Sequence, residues 1–444
     1  MDQSERRAAL KAALGGALDR ARDELAPFGE DIFDHAELGF REERTATLVA
    51  GKLRDLGLRP QEGLALTGVK ARLRGARPGP TVCVMGELDG LPVRDHPRAD
   101  PATGVVHACG HNAQLAHLVG VARALVGTNA MEQLAGDVVL FAVPAEEYVD
   151  LEWRSEQARA GRIEFLGGKP ELIRLGAFDD VDLAIMAHAT GREEDRQLSL
   201  RPSANGLVAK RARFLGRAAH AAAAPHAGVN ALNAASLALQ AIHMQRETFR
   251  DEDRIRVHPI ITRGGEAVNV VPADVRLETF VRGATYEAIG DAAAKVDRAL
   301  RAGAMAVGAA VEIETLPGYM PLFVDPALGA LFKQNALELV GDEGWAELGP
   351  MAASTDAGDL SHLMPVLHPS HGGCTGTNHA ADFAIADFQA AYVTPAKALA
   401  RTIVDLLAEE AAARRILATF RPRLTREQYL AHMRGLARTE RTGY

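Results

Sequence analysis

The arrangement that most restricts the fold lies in the middle of the chain. An alternating run at 207–214 is followed by a helical pattern at about 229–245 and by strand-like runs at 256–262 and 275–281. A second helical pattern at about 286–306 and a last run at 311–315 complete the series. This is the β-α-β-β-α-β order of a ferredoxin-like unit, which closes on its own core. It therefore reads as an insertion into a larger body. Upstream, helical periodicity at about 5–26, 42–56, 113–126 and 151–175 alternates with apolar runs at 68–73, 81–85, 138–143 and 183–187. That alternation predicts an α/β domain with a mixed sheet and helices on both faces. The pattern resumes near Pro321 and ends in a helix from 386 to about 415. The expected division is an α/β domain made of 1–205 and 321–444 around an α+β domain at 206–320.

The length of 444 residues suits two or three compact units, and 47% apolar with 24% charged residues is the composition of a folded globular chain. With 50 basic and 58 acidic residues the net charge is −8, so no broad positive field invites nucleic acid or an anionic membrane. Small molecules are the expected partners. Cys83, Cys109 and Cys374 are too few and too scattered for a disulfide framework. The N-terminal stretch reads as an amphipathic helix rather than an export signal, and no apolar run is long enough to span a bilayer. A cytoplasmic location is expected. The last thirty residues, with several Arg, Tyr429 and Tyr444, read as a solvated helical extension.

Chemistry-bearing residues collect just after the strand-like runs, where open α/β sheets place ligands. In VVHACGHNAQ, Cys109 and His111 are two residues apart ahead of a helix; in extended backbone they share a face and can converge on a metal. A buried Cys beside a helix-capping His fits the same letters. In VVLFAVPAEE an apolar run meets Glu146 and Glu147, one suited to bind a metal and the other to act as a general base. An exposed turn is the plainer alternative. His188 ends another apolar run and His379 sits in GGCTGTNHAADF. Together, one Cys, three His and one Glu form an N, S and O donor set suited to Zn²⁺. Five donors exceed what one catalytic zinc takes, so two metals sharing ligands is the economical reading.

On these motifs, with HAELGFREERTA, GELDGLP and STDAGDLS, the chain resembles the two-metal aminoacylase, carboxypeptidase G and p-aminobenzoyl-glutamate hydrolase family over nearly its whole length. The resemblance implies that Cys109, His111, Glu147, His188 and His379 bind one or two divalent metals, Zn²⁺ or Mn²⁺. It makes Glu146 the general base and Asp89 the carboxylate that orients a ligand imidazole. It also implies that 206–320 is a lid pairing with its twin in a homodimer. His220 would reach the partner's site to steady an oxyanion, while Asn269 and Arg282 would hold a substrate carboxylate. His226 and His258 have no matched role and are read as structural. Asn112 stands where many relatives have Asp, which favours the p-aminobenzoyl-glutamate hydrolase branch.

The activity so implied is hydrolysis of a C–N bond in an N-acyl or aminobenzoyl amino acid, or a dipeptide-like conjugate. Hydrolytic deamination of an aromatic amine or amidine would use the same water and base, and a binding protein derived from the scaffold would have lost the base or a metal ligand, all of which are present. The segment 148–180 resembles an insertion in part of that branch and is expected to shape the pocket. Its Trp153, Arg154 and Lys169 are read as members of two amphipathic surface helices.

Overall fold

The computed structural model of the chain describes residues 2–408 and 411–443. They form two compact units, Met1–Ser203 with Phe323–Pro350 and Asp359–Arg423, and Ala204–Leu322 with Met351–Gly358 and Leu424–Tyr444. Among the described residues no helix is long and apolar enough to cross a membrane.

The first unit is built on a six-stranded mixed sheet. Its strands β1 (Gln61–Leu64), β2 (Gly68–Leu73), β3 (Arg77–Glu87), β4 (Ala135–Val143) and β5 (Leu183–Ile185) lie in the order β1-β2-β4-β3-β5, with Val366–Leu367 at the far edge. β2 runs antiparallel to β4, whereas β4, β3 and β5 are parallel. Almost every residue of β4 is buried, as expected of a strand covered on both faces. Because Glu87 is in register with Val143, the loops leaving β3 and β4 start at the same level. A smaller sheet pairs His188–Ala189 with Ser370–His371.

Helix α1 (Gln3–Asp34) runs further than its periodicity suggests and contains Pro27. A proline inside a helix forfeits one hydrogen bond, but the apolar face continues through Phe28, Ile32 and Phe33, all buried. Helix α2 (Glu43–Asp55) matches expectation, and α3 (His111–Gly127) begins two residues early. α1 packs on α3 and on the helix Thr394–Leu407. Gly120 permits this approach, since a Cβ there would sit 3.0 Å from Leu25 and 3.1 Å from Leu18. The pattern at 151–175 resolves into α4 (Leu151–Arg159) and α5 (Gly168–Arg174). The terminal helix is a π-helical turn Gln389–Val393, then Thr394–Leu407, then Ala411–Thr419; residues 409 and 410 lie outside the described residues.

The second unit carries β6 (Ser203–Leu215), α6 (Ala231–Met244), β7 (Arg256–Val257), β8 (Ile260–Arg263), β9 (Asp274–Gly283), α7 (Tyr286–Val307) and β10 (Ala310–Tyr319) in the expected succession. β6 is central, antiparallel to both β9 and β10, and β7 and β8 pair with β9. The alternating burial of β9 turns one face to α6 and α7, whose Ala-rich sides complete the core.

The C-terminal residues depart from the sequence reading. After α8 (Arg426–Leu436), whose Tyr429 is fully buried, strand β11 (Arg438–Thr442) adds to β10 as a further edge strand. A run rich in Arg and Glu reads as solvated helix because an edge strand with one open face has no need of apolar alternation. Buried Lys210 on β6 bonds Asp297 and Thr315 at 2.8 Å, and Arg438 reaches the same Asp297 at 2.9 Å. This group therefore ties the extension to the second unit. Tyr444 lies outside the described residues.

Candidate metal centre

Three chain segments end beside one another in the first unit. The loop after β3 brings Asp89, the loop after β4 brings Glu146 and Glu147, and the segment after β5 brings His188. Cys109 and His111 arrive at the start of α3, where Gly110 takes a left-handed φ of 81°. A Cβ on Gly110 would lie 2.3 Å from Ala189, so a larger residue there would push the Cys109–His111 turn away. His379, itself at a left-handed φ of 67°, is fixed by its N–H to the Ala108 carbonyl at 2.8 Å.

All five donors expected from the sequence come together. Cys109, His111 and His188 offer atoms within 4.8 Å of one another, as do Cys109, Glu147 and His379. The two sets share the Cys109 sulfur. His379 Nε2 lies 3.1 Å from both this sulfur and Glu147 Oε1, and His188 Nε2 lies 3.4 Å from the sulfur. Two imidazoles are oriented from behind, His111 Nδ1 donating to the Asp89 carbonyl and His188 Nδ1 to the Ala189 carbonyl, both at 2.8 Å. Their Nε2 lone pairs are thus turned to the centre.

The donors fit a divalent cation on two counts. His111 Nε2 and Glu147 Oε1 are buried without an aligned hydrogen-bond partner, a condition costly to leave uncompensated. The charges also suit one. Burial resists ionisation of Cys109, but His379, His188 and His111 hold the thiol well below its ordinary range. Burial likewise opposes ionisation of Glu147, yet His379 brings it down to about 2. His379, half-exposed at the mouth, is raised chiefly by Glu147. A divalent cation would balance the thiolate and carboxylate charges that these imidazoles favour. His107 and His368 lie next to His111 and His188, and burial pushes both down to about 3, so they add no competing positive charge.

The turn bearing the two glutamates is clamped on several sides. Asp89 accepts the Glu146 N–H at 3.1 Å and the Glu147 N–H at 2.8 Å, so it orients the turn as well as the His111 ring. Glu42 accepts the Ala145 N–H at 2.8 Å, with Ala145 at a left-handed φ of 55°. From the 148–180 segment, Arg154 donates to the Glu147 carbonyl at 2.6 Å and to that of Leu166 at 2.7 Å. The surface reading of this segment is therefore corrected: Arg154 is 1% exposed and Lys169 fully buried, while Trp153 is half-buried beneath Arg41. Amphipathic periodicity could not reveal a carboxylate 82 residues away, yet Lys169 Nζ lies 2.6 Å from Glu87 Oε1.

Glu87 is the residue that sequence reasoning missed. Its Oε2 accepts from Gln114 at 2.9 Å and lies 3.0 Å from His111 Nε2. Burial works against its charge, but Lys169, His111 and His188 together hold it below the usual carboxylate range. Its place two residues before Asp89 at a strand end was the available signal.

The other expected residues, His220, Asn269 and Arg282, belong to the second unit. His220 and Asn269 are exposed on adjoining segments, joined by the Ala221 N–H to the Asn269 carbonyl at 2.9 Å. The His220 Nδ1 accepts the Ala222 and Ala223 N–H groups at 3.2 and 3.1 Å. This tautomer leaves Nε2–H as a donor. Arg282, half-buried on β9, stacks over Phe280 at 5.2 Å. His226 and His258 are exposed and support no core.

Comparison with known proteins identifies the family. The model of peptidase family M20/M25/M40 matches residues 83–405. The Xaa-Arg dipeptidase of Mus musculus is 32% identical over 344 residues, covering 74% of this chain and 73% of its own. A dinuclear metal binding peptidase of Bacillus subtilis superposes with a TM-score of 0.63 at 21% identity, over 88% of this chain and 99% of that one. The aminobenzoyl-glutamate utilization protein of Klebsiella pneumoniae gives the same TM-score and identity over 88% and 98%. At such identities the two structures speak for the fold alone. From the family match and the dipeptidase likeness, the chain belongs to the peptidase family M20/M25/M40 and is a metal-dependent hydrolase acting on C–N bonds.

Proposed function

We propose that the chain hydrolyses the amide bond of an N-acyl or aminobenzoyl amino acid, or of a related dipeptide, with Cys109, His111, Glu147, His188 and His379 holding two divalent cations. The observation that carries this reading is the pair of donor sets sharing one sulfur, with Glu146 Oε2 3.8 Å from His111 Nε2 and a member of neither set. Zn²⁺ suits the thiolate best, with Mn²⁺ the alternative from the family resemblance. Cations held there supply Lewis acidity, which lowers the pKa of water and polarises a carbonyl. Glu146 takes the proton of the attacking water and returns it to the leaving nitrogen. Asp89, bonded to both glutamate N–H groups, keeps that carboxylate in place.

In this proposal the second unit pairs with a second copy of the chain. His220 Nε2–H donates to the developing oxyanion of the partner's substrate, and Asn269 with Arg282 takes the substrate carboxylate. Exposed Ile260 and Val268 support an apolar interface on this unit. Three cysteines without a disulfide accord with a cytoplasmic location. The mouse relative's name favours including dipeptides that end in Arg among the substrates. The test is a panel of aminobenzoyl-glutamate, N-acetyl amino acids, Xaa-Arg dipeptides and aryl amines assayed with Zn²⁺ or Mn²⁺. Release of a free amino acid is expected; ammonia from the aryl amines with no amide cleavage would replace this reading by deamination.

A further inference from the structure

The two donor sets sharing Cys109 are not the whole constellation. Atoms of Glu87, His111 and Glu146 also lie within 4.8 Å of one another. This third set overlaps the first at His111, whose Nε2 is 3.0 Å from Glu87 Oε2 and 3.8 Å from Glu146 Oε2. An imidazole nitrogen has a single lone pair, so a cation on it sits either with Cys109 and His188 or with the two carboxylates. In the second position Glu146 would become a ligand and would lose its use as a base.

A carboxylate pair is the harder and more negative alternative, attractive to any divalent cation. Lys169 opposes that pull. Its ammonium is 2.6 Å from Glu87 Oε1, and both side chains are fully buried. Helix α5 cannot swing this lysine away, because the preceding Gly168 packs so closely that a Cβ on it would lie 1.6 Å from the Pro144 carbonyl oxygen. The Gly168 N–H also donates to the Ala145 carbonyl at 3.0 Å. The same short segment thus meets the glutamate turn and delivers the cation to Glu87.

Resting on the function proposed above, we infer that Lys169 is a positioning residue. It fills the cation position of Glu87, holds the His111-bound metal on the Cys109 side and keeps Glu146 out of the coordination shell. A buried carboxylate stripped of its counter-charge must find another, and the nearest exchangeable cation is the metal.

The test uses protein loaded with Co²⁺ and reads thiolate-to-metal charge-transfer absorption, with cobalt content measured by elemental analysis. The wild-type band should vanish in Cys109→Ala. In Lys169→Met cobalt content should hold while the band falls to about half, as one of two ions leaves the shared sulfur, and kcat should fall with it. Glu87→Gln/Lys169→Met removes the attracting charge and should restore the band. Should Lys169→Met not accumulate as folded protein, Lys169→Gln removes the charge while keeping a hydrogen bond and is read identically. A full-strength band in the lysine variant, or a band still weak in the double variant, overturns the inference. A wild-type band that survives Cys109→Ala overturns the metal assignment itself, and this inference with it.

Discussion

In the first unit Cys109, His111 and Glu147 are buried and the rings of His111 and His188 are held from behind by backbone carbonyls, whereas in the second unit His220 and Asn269 stand exposed on adjoining segments. The contrast fits the roles proposed for the two sets. Donors that share a cation must be in place before it arrives, because moving a ligand by an ångström forfeits a bond. In its proposed role as donor to a substrate oxyanion, His220 needs only a fixed tautomer until its target is presented, and two backbone N–H groups set that tautomer.

The sharpest way to break this comparison is Glu146→Gln. A Gln accepts no proton, so turnover should fall by about 10²–10⁴-fold while metal content by elemental analysis stays at wild-type level. Near-normal turnover would remove Glu146 from the base role.

A smaller effect, about 10²–10³-fold in kcat, is expected for His220→Ala if it loses one oxyanion donor. Metal content should again be unchanged, which separates the exposed residue from the buried set. Mixing inactive His220→Ala and Glu146→Gln protomers should recover part of the activity, since one kind of site in the heterodimer then has both groups. Verified heterodimers with no recovery would rule out service to a partner.

The smallest effect concerns Glu42, behind the glutamate turn. Burial and the neighbouring Asp89 push its carboxyl up to about 7 from 4.5. Between those values the folded chain keeps a proton that the unfolded chain releases, so stability should fall as pH rises from about 4.5 to 7 and level off above. In metal-free protein, Glu42→Gln should remove that slope, on the order of 1–3 kcal/mol, in urea melts taken across the window. An unaltered slope would place the titration elsewhere.

Much of the first unit was legible in the chain. β2 coincides with its apolar run, α3 starts at the metal motif, and Cys109, His111, Glu147, His188 and His379 converge as expected. Strand ends concentrate ligands because sheet geometry fans side chains and loops outward there, and that regularity is local enough to read. Glu87 was within reach by the same logic, two residues from Asp89. Arg154 and Lys169 were not: a cation on an amphipathic helix reads as solvated unless its distant acceptors are known. The strand Arg438–Thr442 was hidden for a related reason, since its pairing with Ala310–Tyr319 leaves no apolar alternation to detect.

Local order along the chain was enough to establish the succession of helices and strands, the inserted β-α-β-β-α-β block and the residues capable of binding a metal. These depend on periodicity and residue chemistry, which each segment carries within itself. Tertiary structure alone revealed that Lys169 of the 148–180 segment turns inward onto Glu87, that Glu87 borders His111, and that the C-terminal strand joins the second unit. Each is a pairing between groups far apart in sequence, where burial raises the strength of a charge or hydrogen bond, and no short window of residues contains both partners.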